Sequence, residues 1–101
     1  MMGFYAENLV FNALRQFEGV IELGFYKDAK REVDFIVHLG GKRYLPVEVK
    51  YRETLDDIAS IKYFIEKYNQ KFGIVVTRNF QKQTEANNLL FIPLPIFLLF
   101  F

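Results

Sequence analysis

Apolar side chains recur at helical spacing over residues 4–18, where Ala6, Leu9, Val10, Ala13, Leu14 and Phe17 share one face before Gly19 breaks the pattern. The period then shortens to two. Residues 20–26 read as a first strand, and Lys27-Asp28-Ala29-Lys30-Arg31 as a charged turn. In a second strand over 33–39, Val33, Phe35, Val37 and Leu39 alternate with Asp34, Ile36 and His38. Gly40-Gly41 suits the positive φ angles of a tight hairpin. A third strand over 44–51 places Leu45, Val47, Val49 and Tyr51 on one face and Tyr44, Pro46, Glu48 and Lys50 on the other. Thr54 with Asp57 resembles a capping box opening a helix to about Tyr68, with Leu55, Ile58, Ile61, Phe64 or Ile65, and Tyr68 facing the core. The unbroken apolar run over 72–77 predicts a strand buried on both faces. A polar loop over 79–88, a short strand over 89–92 and a final turn opened by Pro95 complete the chain. The expected fold is α/β: an αβββαβ core with a mixed four- to five-stranded sheet flanked by helices.

Length and charge narrow the picture. At 101 residues one domain, 1–101, is expected, and 13 Lys+Arg against 12 Asp+Glu do not announce a polyanion binder. The absence of Cys removes disulfides and thiolate zinc sites and suits a reducing cytoplasm. A single histidine, His38, makes a His-rich metal site or a Ser-His-Asp triad improbable, and its distance from Asp34 along the strand favours a structural role. The start of the chain lacks a signal peptide's basic and apolar regions. The apolar tail 89–101 is too short for a membrane span of about 20 residues. That tail reads as a core strand and docked turn, or alternatively as the interface of a homodimer. The doubled Met and abrupt start suggest the tail of a longer protein.

Three acids and a lysine can converge in this topology. Asp34 and Glu48 lie on neighbouring antiparallel strands, and Lys50 shares a face with Glu48. Glu7 sits at the edge of the first helix's apolar stripe. Carboxylates gathered in this way require a cation, and hard oxygen ligands suit Mg²⁺ or Mn²⁺. With a lysine alongside to serve a water, such a cluster is equipped to hydrolyse a phosphodiester. The plainer alternative is a solvated sheet face, with Glu48 and Lys50 a surface pair worth about 0–1 kcal/mol.

Glu7, Asp34 and Glu48-Val49-Lys50 on an αβββαβ order resemble the PD-(D/E)xK nuclease superfamily, which includes restriction endonucleases and Holliday-junction resolvases. The segments Glu7-Asn8-Leu9-Val10-Phe11, Glu32 to Val37, Pro46 to Tyr51 and Gly73 to Thr77, with the Ile92–Leu99 ending, more closely resemble an uncharacterised domain. That domain closes the C-terminal end of many prokaryotic AAA+ family ATPases. The resemblance implies a restriction-endonuclease-like fold, with Asp34, Glu48 and the Val49 carbonyl as metal ligands. It further implies Glu7 as a ligand through water and Lys50 as the water-orienting base or charge stabiliser. Val33 stands where the superfamily's eponymous Pro would be. No G-x-x-x-x-G-K-[ST] occurs, so an ATPase would have to lie elsewhere in the same polypeptide.

Residues 27–52 hold seven basic residues against four acids, an excess of three positive charges. Lys30, Arg31, Lys42, Arg43 and Arg52 in this region, with Lys62 on the second helix, are therefore candidates for holding a DNA backbone. Tyr26, Tyr44 and Tyr51 read as packing residues. Two functions remain open: a metal-dependent DNA endonuclease or resolvase, and a non-catalytic module of the same fold that binds nucleic acid or protein beside an ATPase.

Overall fold

The structure, a computed structural model, describes residues 2–50, 58–78 and 88–100, with side chains from Tyr5 onward in the first helix. Helix α1 (Met2–Gln16) precedes a meander of β1 (Glu22–Lys27), β2 (Glu32–Gly40) and β3 (Arg43–Lys50). Helix α2 (Ala59–Lys67), β4 (Gly73–Thr77), β5 (Leu89–Pro93) and α3 (Leu94–Phe100) follow. The five strands form one sheet in sequence order. β1, β2 and β3 pair antiparallel, whereas β3, β4 and β5 pair parallel, so β3 joins the two halves. This is the mixed, helix-flanked sheet that the hydrophobic pattern predicts.

Alternation divides the strands between two cores. On one face Val37, Val47, Val49, Ile74 and Val76 meet Ala6, Val10 and Leu14 of α1 and Leu94 and Phe97 of α3. On the other, Val75 and Leu89 meet Ile61 and Ile65 of α2. Each such side chain, once buried, contributes about 1.5–3 kcal/mol of transfer free energy. All five residues of β4 are buried, as a strand covered on both faces requires. At its start, α2 presses so closely on the sheet that a Cβ on Gly73 would stand 2.9 Å from Ile61 Cδ1. The β2–β3 hairpin turns on Gly40 and Gly41, at φ +118° and +56°, in the region where only glycine is unstrained.

Several boundaries differ from the sequence pattern: α1 ends at Gln16 rather than 18, β2 runs Glu32–Gly40 rather than 33–39, and Tyr68, expected in the core stripe of α2, is its C-cap and 42% exposed. β1 begins at Glu22 rather than Val20, although the Ile21 N–H still donates to the His38 carbonyl at 2.8 Å. Helix α2 begins at Ala59, with Ile58 in its cap position and no side-chain cap bond. The expected capping box at Thr54 and Asp57 and the core role of Leu55 fall outside the described residues, as does most of the expected 79–88 loop. In the tail, Leu94 and Phe97 dock into the core while Leu99 and Phe100 are 76% and 72% exposed. Among the described residues no helix is long and apolar enough to cross a membrane.

Candidate active site

The regular ladder between β2 and β3 runs as far as Phe35 opposite Val47. One step beyond, side chains take over the backbone's hydrogen bonds. The Asp34 N–H donates to Glu48 Oε1 at 3.0 Å, and the Val49 N–H donates to Asp34 Oδ2 at 2.8 Å. The Glu48 carboxylate is thus held by the main chain of Asp34, and the Asp34 carboxylate by the main chain one residue past Glu48. Lys50 Nζ stands 3.6 Å from Glu48 Oε2, with Lys50 a quarter exposed and the Glu48 side chain only 7% exposed. A strand residue carries its N–H and C=O on the same edge, so the Val49 carbonyl lies on the edge facing Asp34. The group sits at the C-terminal end of the parallel strands, where Lys50 is in register with the buried Thr77 of β4.

Electrostatics sets this pair apart from a surface ion pair. Burial, reinforced by the charge of Asp34, pushes the Glu48 carboxyl up to about 7, against the opposing pull of the Asp34 N–H and Lys50. Burial likewise raises Asp34, although the Val49 N–H and the Lys50 charge draw it down. Two acids and one ammonium leave a buried excess of negative charge, so a proton or a further cation must share the site. The solvated-face alternative for Glu48 and Lys50 therefore does not hold: Glu48 is 5% exposed as a residue.

Glu7 lies within electrostatic range of this group. It is exposed on α1, and its carboxyl is raised by partial desolvation and then by the negative charges of Asp34 and Glu32. Among the described residues, however, no three His, Asp or Glu side chains converge closely enough to enclose a metal ion. The two carboxylates are a donor set that a hard cation fits, with Glu7 in electrostatic range rather than in the same cluster.

The expected DNA-binding residues separate into two groups. Lys30 and Arg31 lie in the β1–β2 turn at the acid end of the sheet. This turn is fixed by Asp28, whose Oδ1 accepts the Lys30 and Arg31 N–H groups at 2.8 and 2.7 Å. The Tyr26 hydroxyl donates to Asp28 Oδ2 at 2.6 Å, and these bonds hold the Asp28 carboxyl down at about 2. The Arg31 guanidinium lies 4.2 Å from the Tyr63 ring of α2. Lys42, in the turn before β3, and Arg43, its first residue, lie at the end opposite the acids, about 17–20 Å from Glu48 at strand rise. Lys62 is half-buried on α2, and Arg52 lies outside the described residues. His38 stacks on Tyr44 with ring centres 4.5 Å apart, consistent with a structural role.

Two supporting residues escaped the sequence pattern. Asp28 had a legible signal, since Asp at the first position of a turn bonds the following N–H groups. Gln70 had none: its amide accepts the Tyr44 N–H at 2.8 Å and donates to the Lys42 carbonyl at 2.9 Å, across 26 and 28 residues of chain.

Comparison with known proteins adds a family but no assigned chemistry. The chain matches no curated protein and no solved structure. One family model, described as a domain of unknown function (DUF4143), matches residues 2–97, from the first turn of α1 into α3. That span takes in every strand, the Asp34–Glu48–Lys50 group and Glu7, and the chain belongs to this DUF4143 family.

Proposed function

We propose that the chain is a divalent-metal-dependent nuclease domain of the PD-(D/E)xK type, hydrolysing DNA phosphodiester bonds at Asp34, Glu48 and Lys50. The observation that carries this reading is the pair of carboxylates locked where β2 and β3 part, Glu48 by the Asp34 N–H and Asp34 by the Val49 N–H, with an ammonium 3.6 Å from Glu48. A stability-driven fold has little reason to bury two acids against one base.

Asp34 and Glu48, with the Val49 carbonyl, would hold Mg²⁺ or Mn²⁺. The ion would supply polarisation of a phosphoryl oxygen and acidification of a water. The chain's own contribution is orientation: the Val49 and Asp34 N–H groups hold the carboxylates in place before any substrate arrives. Lys50 is placed to orient the attacking water or to offset the negative charge that develops on the phosphorus oxygens. Glu7 adds negative potential at the mouth of the site. The resemblance to the closing domain of AAA+ ATPases extends the reading to a longer polypeptide whose motor delivers the DNA.

One observation favours the non-catalytic alternative, a module that binds without cutting: no third ligand encloses the pair among the described residues. The two readings part in a single experiment. Native, Glu48→Ala and Lys50→Ala proteins are titrated with Mn²⁺ in a calorimeter and incubated with labelled duplex, single-stranded and four-way-junction DNA in Mg²⁺. The nuclease reading expects native protein to bind Mn²⁺ and cut, Lys50→Ala to bind without cutting, and Glu48→Ala to do neither. Metal binding by native protein without cleavage of any substrate would favour the binding module. Equal cleavage by native and Lys50→Ala proteins would refute the assignment.

A further inference from the structure

On the sheet face that carries Asp34 and Glu48, a half-open cleft of about 380 Å³ lies between the β1–β2–β3 meander and α2. This is within the range of about 300–1,000 Å³ typical of small-ligand sites. Tyr26, Phe64 and Tyr68 form one end, with ring centres 4.6–6.0 Å apart. The stacked His38 and Tyr44 form the other. The floor is Ile36 and its register partner Gly24. A Cβ built on Gly24 meets nothing within 4 Å, so glycine is not demanded there by packing and its missing side chain leaves the floor open.

Two neighbours indicate what the cleft takes. Ile36 is two residues from Asp34 on the same strand face, about 7 Å at strand rise, so the cleft adjoins the acid pair. At its far end Tyr44 also lines a second recess of about 330 Å³, which carries Lys42, Arg43 and Lys71. Gln70 clamps the backbone of that recess through Lys42 and Tyr44. The ammonium of Lys67 lies 5.5–5.9 Å from the rings of Tyr26, Tyr63 and Tyr68. Acid pair, aromatic cleft and cationic recess thus follow one another along β3.

We infer that the cleft receives an unstacked base of a single-stranded DNA segment whose backbone runs from the acid pair to the Lys42–Arg43–Lys71 recess. Aromatic rings beside a cationic track bind single strands because every base has a π-face and every linkage a negative charge. In a duplex both faces of each base are already stacked, and extracting one costs a few kcal/mol. Glu22 lines the cleft and can accept from a base's exocyclic amine, whereas it would repel a phosphate, which assigns the cleft to the base. The inference takes its polymer from the proposed nuclease function but does not require that the strand be cut.

The test is fluorescence anisotropy in EDTA, which reads binding without cleavage, at one fixed salt concentration because phosphate contacts are salt-dependent. Its probes are a labelled single strand, its blunt duplex, and the same strand with abasic sites. The single strand is expected to bind tighter than the other two by about 5- to 150-fold, the equivalent of ~1–3 kcal/mol of base stacking. Gly24→Leu, whose Cβ would meet nothing within 4 Å and whose side chain would take up space at the floor, is expected to remove that preference while circular dichroism stays native. Should Gly24→Leu fail to fold, Tyr44→Ala makes the same comparison, since its backbone bond to Gln70 does not involve the ring. Equal affinity for the three DNAs, no binding of any, or an unchanged preference in the folded variant would overturn the inference. Preference for the single strand without cleavage in Mg²⁺ would leave it standing and remove the nuclease reading. Cleavage without that preference would do the reverse.

Discussion

Replacing Glu48 by Gln should make the metal-free protein more stable, and increasingly so as pH rises. The Glu48 carboxyl sits at about 7 in the fold against an ordinary value of 4.5, chiefly because it is buried and then because it faces Asp34. The folded state therefore binds the proton more tightly than the unfolded one. The associated stability is fully present below pH 4.5 and is lost as pH climbs through 7. At 1.36 kcal/mol per pKa unit the full loss is about 3 kcal/mol, and because Asp34 shares the titration the expected range is about 1–3 kcal/mol. Gln keeps an oxygen for the Asp34 N–H but never ionises. Urea unfolding in EDTA, followed by circular dichroism, should show native and Glu48→Gln proteins close together at pH 4.5. At pH 8 the variant should lead by that margin, or roughly 4–25 °C in Tm for a domain of this size. The contribution of Asp28 does not intrude, because its lowered carboxyl adds stability present above pH 3.8 and lost only toward pH 2. Adding Mg²⁺ should stabilise the native protein by about 4.1 kcal/mol at a thousandfold excess over Kd and so reverse the order. Equal stability of the two proteins at pH 8 in EDTA, or a gap that does not grow with pH, would refute the reasoning.

Asp34→Ala should destabilise the metal-free protein by about 1–3 kcal/mol relative to Asp34→Asn, because only Asn retains an acceptor for the Val49 N–H; thermal unfolding of the two variants checks this. Lys50→Ala should leave Mn²⁺ affinity within a few-fold of native but lower DNA cleavage by about 10²–10³, measured under single-turnover conditions. Leu99 and Phe100, exposed beside the apolar groove lined by Leu14, Phe17, Leu90 and Ile92, are expected to drive self-association. Sedimentation should accordingly show a concentration-dependent mass that Leu99→Lys abolishes.

Most of the architecture follows from short-range pattern. The α1 stripe, the alternation of β2 and β3, the Gly40-Gly41 turn and the continuous apolar run of β4 are local consequences of periods of 3.6 and 2 and of glycine's freedom at positive φ. That alternation also places Asp34, Glu48 and Lys50 on one face, so the acid–lysine group was legible from residue spacing and hairpin geometry. What spacing left undecided was whether the face was wet. In the fold Glu48 is buried, and this burial, with the charge of Asp34, lifts the carboxyl to about 7 and distinguishes the acid pair from a solvated strand. Packing also decided the fate of the aromatic residues. Tyr26 and Tyr44 read as packing residues in sequence, yet with Gly24 between them and α2 above they line an open cleft. The Gln70 clamp joins residues 26 and 28 positions apart, and the bonds from the Asp34 N–H to Glu48 and from the Val49 N–H to Asp34 span 14 and 15. Periodicity assigns a side chain to a face, but only the folded chain decides what stands opposite that face, and therefore how much water, charge and room a side chain there is left with.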